Sequence, residues 1–444
     1  MSFTSPVFLF AFLPLTVIVY QLARSTKLKN AVWIAAGLLF YAFGDLRHLP
    51  LLLGSCLLHY GAGRYLMAQK KARRAVLLSC VALDLAVLAF YKVRGALPLG
   101  ISFYTFQAIS YVADTYKNPA DGTKNLRETL QYLTFFPQLT AGPFLKFSAL
   151  RPYLDRRETT WEKNAQGVRR FVCGLCKKVL LSTAAAKLAD AMFSLASIDA
   201  LGAWTGALGY CLQLYFDFSG YSDMALGLGL LFGVQLPENF RHPYCAGSVS
   251  EFWRRWHMTL SGWFRDFVYI PLGGSRKGRA RTVFNKLLVF LATGLWHGTG
   301  WTFVLWGLWH GAFCGAETLL DRNKTLKTHW YGHVYTLLVV IFGFVLFRAE
   351  SLPQALMLLR TMLSGFTPVD ACRLALRNLL TAGTVFWCLA GVLACLPLWE
   401  HAKARFDGSR WFSPALDALT IVGLLLCLMQ LASHSFQPFI YASF

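Results

Sequence analysis

Two histidines, His297 and His310, sit in GLWHGTGWTFVLWGLWHG, the stretch from Gly294 to Gly311, which is rich in tryptophan and carries no formal charge. A titratable side chain is costly to keep in an apolar segment, so it reads first as a functional site. Imidazole exchanges a proton near neutral pH, which suits general acid–base work. The plainer account is a ring bonded to a backbone carbonyl between packed helices. His310 fits that account better, because its thirteen-residue offset from His297 does not place both rings on one helix face. At His297 the Trp296-His297-Gly298 context favours chemistry, and Gly298 and Gly300 predict a helix break or a close backbone approach beside the ring.

A second block, Ser248 to Arg281, holds the other candidate, His257. Read as one helix, it places Trp253, Trp256, Leu260 and Trp263 on one stripe and Arg254, His257, Ser261 and Arg265 on the adjoining one. That pattern predicts a basic, aromatic helix at a membrane interface. A turn at Pro271, Gly273 and Gly274 then leads to the cluster Arg276, Lys277, Arg279 and Arg281. Such a cluster belongs on the cytoplasmic side, against anionic lipid headgroups or the phosphates of a cofactor such as coenzyme A.

The elements that must position these rings belong to a membrane. The chain of 444 residues is 56% hydrophobic and only 15% charged, where a soluble protein carries about a quarter charged residues. Long apolar runs without alternation predict an all-α polytopic membrane protein, with roughly ten to twelve transmembrane helices plus re-entrant and interfacial ones around a central cavity. The net charge of +21 sits in short clusters between apolar runs, a positive-inside pattern that argues for membrane lipid and against nucleic acid. Eleven cysteines are scattered, and Cys173-x-x-Cys176 has no partner pair at metal-site spacing, so they read as small packing residues and no metal site is expected. The first apolar run has no basic leader and no cleavage motif, so it is expected to remain as a membrane helix.

Along the chain, spans are expected at Pro6–Ala23, Ala31–Phe43, Leu51–Met67 and Ala75–Tyr91, with the basic loops at 24–30 and at Lys70, Lys71, Arg73 and Arg74 in the cytoplasm. Asp84 inside the fourth span reads as a hydrogen bond to a neighbouring helix. Pro98–Tyr116 mixes polar and aromatic residues and has a broken start at Pro98 and Gly100, which suits a buried or cavity-lining segment better than a lipid-facing one. Pro137, Gly142 and Pro143 predict a kinked or re-entrant hairpin over Leu130–Phe147. Arg169, Arg170, Lys177 and Lys178, near the start of a run over Val168–Ala196, are expected to snorkel to headgroups. Asp217 and Asp223 in the run Gly202–Phe232 read as register-fixing bonds between helices. Further spans are expected at Thr282–Leu295, Trp301–Leu320, Tyr331–Phe347, Asn378–Trp399 and Leu416–Leu431, with an interfacial helix at Leu352–Ser364. No soluble domain interrupts the chain, so 1–444 reads as one integral-membrane domain.

Six blocks in order resemble the membrane-bound O-acyltransferase family. They are Pro98–Tyr116 (PLGISFYTFQAISYVADTY), Phe135–Phe144 (FFPQLTAGPF), Tyr215–Asp223 (YFDFSGYSD), Glu238–Tyr244 (ENFRHPY), Phe252–Gly278 (FWRRWHMTLSGWFRDFVYIPLGGSRKG) and Leu295–Trp309. The family-like core therefore runs over about 98–310. The ending PLGGSRKG is most similar to the bacterial branch that acetylates alginate, other polysaccharides and peptidoglycan, while the terminal QPFIYASF departs from that branch's usual ending.

The resemblance implies that His297 is catalytic and that His257 is a second polar position of the site. It also implies an acetyl donor on the cytoplasmic face, acetyl-coenzyme A as a substrate rather than a resident cofactor, and an extracytoplasmic polysaccharide acceptor. A periplasmic acetyltransferase partner and a multi-pass location in the bacterial inner membrane go with it. The chemistry agrees with the residues: acyl transfer to a hydroxyl needs a base, and the developing oxyanion needs donors, for which the indoles of Trp296 and Trp301 and the ring of His257 are the candidates. D-alanyl transfer to teichoic acid and transport of a polysaccharide precursor, with the histidines in a proton relay, are the alternatives.

Overall fold

The computed structural model describes residues 1–69, 71–320 and 323–433. Lys70 of the expected basic loop and the terminal QPFIYASF lie outside the described residues. All regular structure among the described residues is helical. Arg73–Arg94, Trp330–Arg348 and Phe412–Ala432 are long and apolar enough to cross a membrane, and the pair Asp370–Leu379 and Ala382–Ala394, bent by 84°, would make a fourth span. Helices Gly278–His297 and Trp301–Leu319, which carry the candidate site, fall outside that set.

The chain divides into two compact units, one comprising Met1–Val172 and Tyr221–Glu238, the other Cys173–Gly220 and the described residues 239–433. In the first unit the expected early spans appear as helices Leu13–Leu22, preceded by a π-helical turn Phe8–Phe12, then Thr26–Asp45, Leu49–Ala68 and Arg73–Arg94. Helix Ile101–Lys117 starts after Gly100, whose φ of +68° favours glycine, and 14 of its 17 residues are buried. It is an interior helix, as its mixed composition implies. The proline-rich segment is broken, with a single helical turn Phe136–Leu139 between Leu126–Leu133 and Phe147–Asp155. Phe3, Phe8, Phe40, Phe136 and Tyr221 stack around one another in this core.

Several buried charges in each unit are paired. His59 Nε2 lies 2.9 Å from Asp84 Oδ2, joining helices Leu49–Ala68 and Arg73–Arg94, and His59 Nδ1 lies 2.7 Å from the Ser55 carbonyl. A carbonyl only accepts, so Nδ1 carries a hydrogen, and a second proton is then shared between Nε2 and the carboxyl. Asp223 Oδ1 accepts from Arg170 at 2.6 Å within the first unit, and Asp217 pairs with the buried Lys178 within the second. Arg170 and Lys178 therefore do not snorkel to headgroups as expected; carboxylates on the facing helix Ala200–Leu231 hold them, which fixes helix register.

In the second unit, helices Gly278–His297 and Trp301–Leu319 form a hairpin, followed by Trp330–Arg348 and Leu352–Ser364, the latter capped by Ser351 Oγ accepting from Gln354 N at 3.4 Å. The expected single span Asn378–Trp399 is instead broken at 380–381, where the Thr381 hydroxyl caps a new helix by accepting from Thr384 N at 3.2 Å. Local side-chain capping competes there with helix continuation.

Removing one member of a buried pair strands the other. Asp84→Ala is expected to lower the stability of the detergent-solubilised protein by about 3 kcal/mol, read as a lower thermal-unfolding midpoint. His59→Ala should produce a similar drop, and the double variant less than the sum of the two.

Candidate active site

The second histidine block is not one helix. Ser248 Oγ accepts from Glu251 N at 3.1 Å to start helix Val249–Arg255. The chain breaks at Trp256 and His257 and resumes as Met258–Phe264. Its first turn is also held by Glu317, 2% exposed, whose two carboxylate oxygens accept from Val249 N at 2.7 Å and Ser250 N at 2.9 Å. A carboxylate at a helix N-terminus satisfies donors that have no intrahelical partner.

The break has a visible cause. The backbone of 239–241 bonds to both sides of it, Arg241 N donating to Arg255 O and Met258 N to Asn239 O, each at 2.9 Å. Asn239 Oδ1 then accepts from Thr259 N at 3.2 Å and from Thr259 Oγ1 at 2.9 Å, and lies 3.1 Å from His257 Nδ1. These competing bonds leave His257 with φ +43° and ψ +53°, a left-handed conformation that side chains other than glycine seldom adopt. Thr259 N can only donate, which fixes the Asn239 atom as the oxygen; His257 Nδ1 therefore carries the hydrogen, and the neutral ring presents Nε2 as an acceptor. That tautomer makes His257 a proton acceptor rather than the oxyanion donor the sequence allowed.

His297 is the last residue of helix Gly278–His297 and is 5% exposed. The chain runs extended through 298–300 before helix Trp301–Leu319 begins, as the glycines beside it predict. A Cβ on Gly294 would stand 2.4 Å from the Phe303 carbonyl oxygen, and one on Gly307 would stand 2.4 Å from that of Phe290. The two helices therefore meet backbone to backbone on either side of the turn.

Rings surround His297: Trp296 at 4.7 Å between centroids, Phe347 at 5.0 Å and Trp306 at 5.2 Å, all edge-on. Trp296 also lies 6.5 Å from His257, which meets Phe218 edge-on at 4.6 Å. Trp306 lies 5.4 Å from the buried His310, which packs edge-on to Trp253 at 5.0 Å. Trp296 thus lies beside both His257 and His297, while His310 packs among rings with both of its ring nitrogens buried and bonded to no carbonyl, unlike the plainer account expected for it. Trp301, the other indole proposed from sequence, is 71% exposed and stands apart from the cluster.

The aromatic stripe expected at an interface is mostly interior. Trp256, Leu260 and Trp263 are buried, while Arg254, Arg265 and the cluster Arg276, Lys277, Arg279 and Arg281 are exposed. Sequence reasoning missed Asn239, Trp306, Glu317 and Phe347 as site-shaping residues. Asn239 stands in the block ENFRHPY, but only its contact with His257 assigns it a role. Two imidazoles beside indole N–H groups, in a site with little solvent, can move a proton and stabilise an oxyanion. Among the described residues, no three His, Cys, Asp or Glu side chains are grouped as metal ligands would be.

The positioning role of Asn239 is testable. Asn239→Leu should reduce turnover by at least about tenfold with little change in KM, and Asn239→Asp, which keeps the acceptor, should recover much of it. Gly307→Val forces a side chain against the Phe290 carbonyl. It should lower both the folded yield and the unfolding midpoint, a cost of about 1–3 kcal/mol or more.

Comparison with known proteins adds to this geometry. The description "MBOAT, membrane-bound O-acyltransferase family" matches residues 120–358. The chain is 36% identical to the probable alginate O-acetylase of Pseudomonas putida, over all of both chains. It is 36% identical to the peptidoglycan O-acetyltransferase of Helicobacter pylori, over 84% of this chain and 81% of that one. Against the teichoic acid D-alanyltransferase of Bacillus subtilis the identity is 27%, over 57% of this chain and 69% of the relative.

Proposed function

The chain belongs to the membrane-bound O-acyltransferase family, and from that premise we propose that it moves an acetyl group across the bacterial inner membrane for O-acetylation of an extracytoplasmic polysaccharide or peptidoglycan. It is an enzyme, an acyltransferase of the membrane. The donor in this reading is a cytoplasmic thioester, acetyl-coenzyme A, bound as a substrate. The acetyl group reaches the polymer directly or by way of a periplasmic acetyltransferase. About ten to twelve crossings around a central cavity would be completed by the shorter and more polar helices, within one functional domain over 1–444.

The observation that carries the reading is the placement of His297 at a helix end, within a cage of Trp296, Trp306 and Phe347, with Trp296 also beside His257. As the acceptor oxygen attacks the thioester carbonyl, its proton passes to the His297 imidazole and the new C–O bond forms. The carbonyl oxygen takes up negative charge, for which the buried indole N–H groups of Trp296 and Trp306, beside His297, are candidate donors. Collapse of the tetrahedral species breaks the C–S bond. The thiolate then takes the proton from His297, leaving the ring neutral. His257, held by Asn239 with Nε2 as acceptor, is the second proton acceptor of the site.

Acetyl transfer is favoured over D-alanyl transfer because the acetylating relatives match this chain at higher identity and over more of its length. Replacing His297 by alanine should lower polymer-bound acetate by at least about 100-fold at equal protein level, with polymer yield unchanged. Unchanged acetate would contradict the catalytic assignment. Loss of polymer export, with acetate retained on whatever is exported, would point to transport instead.

A further inference from the structure

One exposed cation of the second unit has no role in the acyl-transfer reading. Lys187 lies in helix Thr183–Ser194, TAAAKLADAMFS, an otherwise largely apolar sequence. Its side chain is exposed, so it is open to a ligand from outside the chain. Among the described residues Lys187 makes no ion pair, and the nearest carboxylate along its own helix, Asp190, is taken by Arg348 at 2.8 Å.

Lys187 instead lines a cavity of about 190 Å³, together with Thr183, Thr381, Thr384, Trp387 and Gln430. About 150 Å³ is enough to hold benzene, so a small polar headgroup fits. Its walls come from residues 179–187, from the start of helix Ala382–Ala394, the second helix of the bent pair, and from Gln430 of the span Phe412–Ala432. Both helices continue away from the cavity with exposed apolar side chains, Phe386, Leu389 and Leu393 on one and Leu425 and Met429 on the other. The combination is a cationic and hydroxyl-bearing recess flanked by greasy helix faces.

We propose that this cavity binds the phosphodiester of an anionic phospholipid, with the Lys187 ammonium as counter-ion, the threonine hydroxyls as donors, and the acyl chains lying along the exposed faces of Ala382–Ala394 and Phe412–Ala432. The leaflet follows from charge. Helix Phe412–Ala432 begins just after the basic residues Lys403, Arg405 and Arg410, which the positive-inside rule places in the cytoplasm, and Gln430 marks its other end. The lipid therefore sits in the outer leaflet. The inference rests on the chain being a membrane protein and not on which acyl group it transfers.

The test is native mass spectrometry of the full-length purified protein titrated with phosphatidylglycerol or phosphatidylcholine. Wild type should retain phosphatidylglycerol in preference to phosphatidylcholine. Lys187→Gln should weaken the first by about fivefold and leave the second unchanged. Lys187→Arg should keep the preference. A fold check by thermal unfolding accompanies each variant, and Thr381→Val, which keeps the charge but removes one donor, gives a second route to the same loss. Equal retention of both lipids by wild type, or phosphatidylglycerol binding by folded Lys187→Gln that matches wild type, would overturn the proposal.

Discussion

Contact between two helix backbones sets the geometry of the site. Gly294 and Gly307 let helices Gly278–His297 and Trp301–Leu319 touch without side chains between them, so the turn joining them is short and His297 is held at its edge. Helices packed this closely gain dispersion contacts that do not depend on expelling water, which is the force available to them in lipid. The large rings then fill the space around the turn. Trp306 lies against both His297 and His310, and Phe347 closes the cage from helix Trp330–Arg348.

The second constraint is the diversion of backbone bonds at His257. A continuous helix would have used the N–H groups of Met258 and Thr259 internally, but Asn239 captures both. The same amide oxygen that interrupts the helix also accepts from His257 Nδ1, so one residue sets the backbone conformation and the tautomer together. Glu317 does related work upstream, where its carboxylate anchors the first turn of Val249–Arg255 to helix Trp301–Leu319. The tie joins the two histidine blocks by a route that avoids the rings.

Much of this was readable from residue types. Long apolar runs located most helices to within a few residues, because burial of continuous apolar surface leaves the chain little alternative. The glycines beside His297 announced the helix break, and Asp84, Asp217 and Asp223 announced bonds between helices. What failed had a common cause. The continuous helix expected through Trp256 and His257, and the single span expected over Asn378–Trp399, were both interrupted by side-chain bonds to the backbone, from Asn239 and Thr381. Hydropathy does not register such bonds. Arg170 and Lys178 misled for the converse reason: a cation near the end of an apolar run has the same local pattern whether it faces headgroups or a carboxylate on the next helix. Phe347 reaches His297 from helix Trp330–Arg348, and Glu317 reaches Val249 across 68 residues, contacts that one chain's periodicity cannot reveal.

The central claim is that His297 takes the proton of the accepting hydroxyl and is not merely a buried ring. A single-turnover assay with purified protein tests it most directly, following a labelled acetyl group from acetyl-coenzyme A to a hydroxyl acceptor, with donor binding measured on the same samples. The account predicts that His297→Gln binds the donor as wild type does and transfers nothing measurable in a single turnover. A His297→Gln protein that transfers the label at the wild-type rate would contradict it.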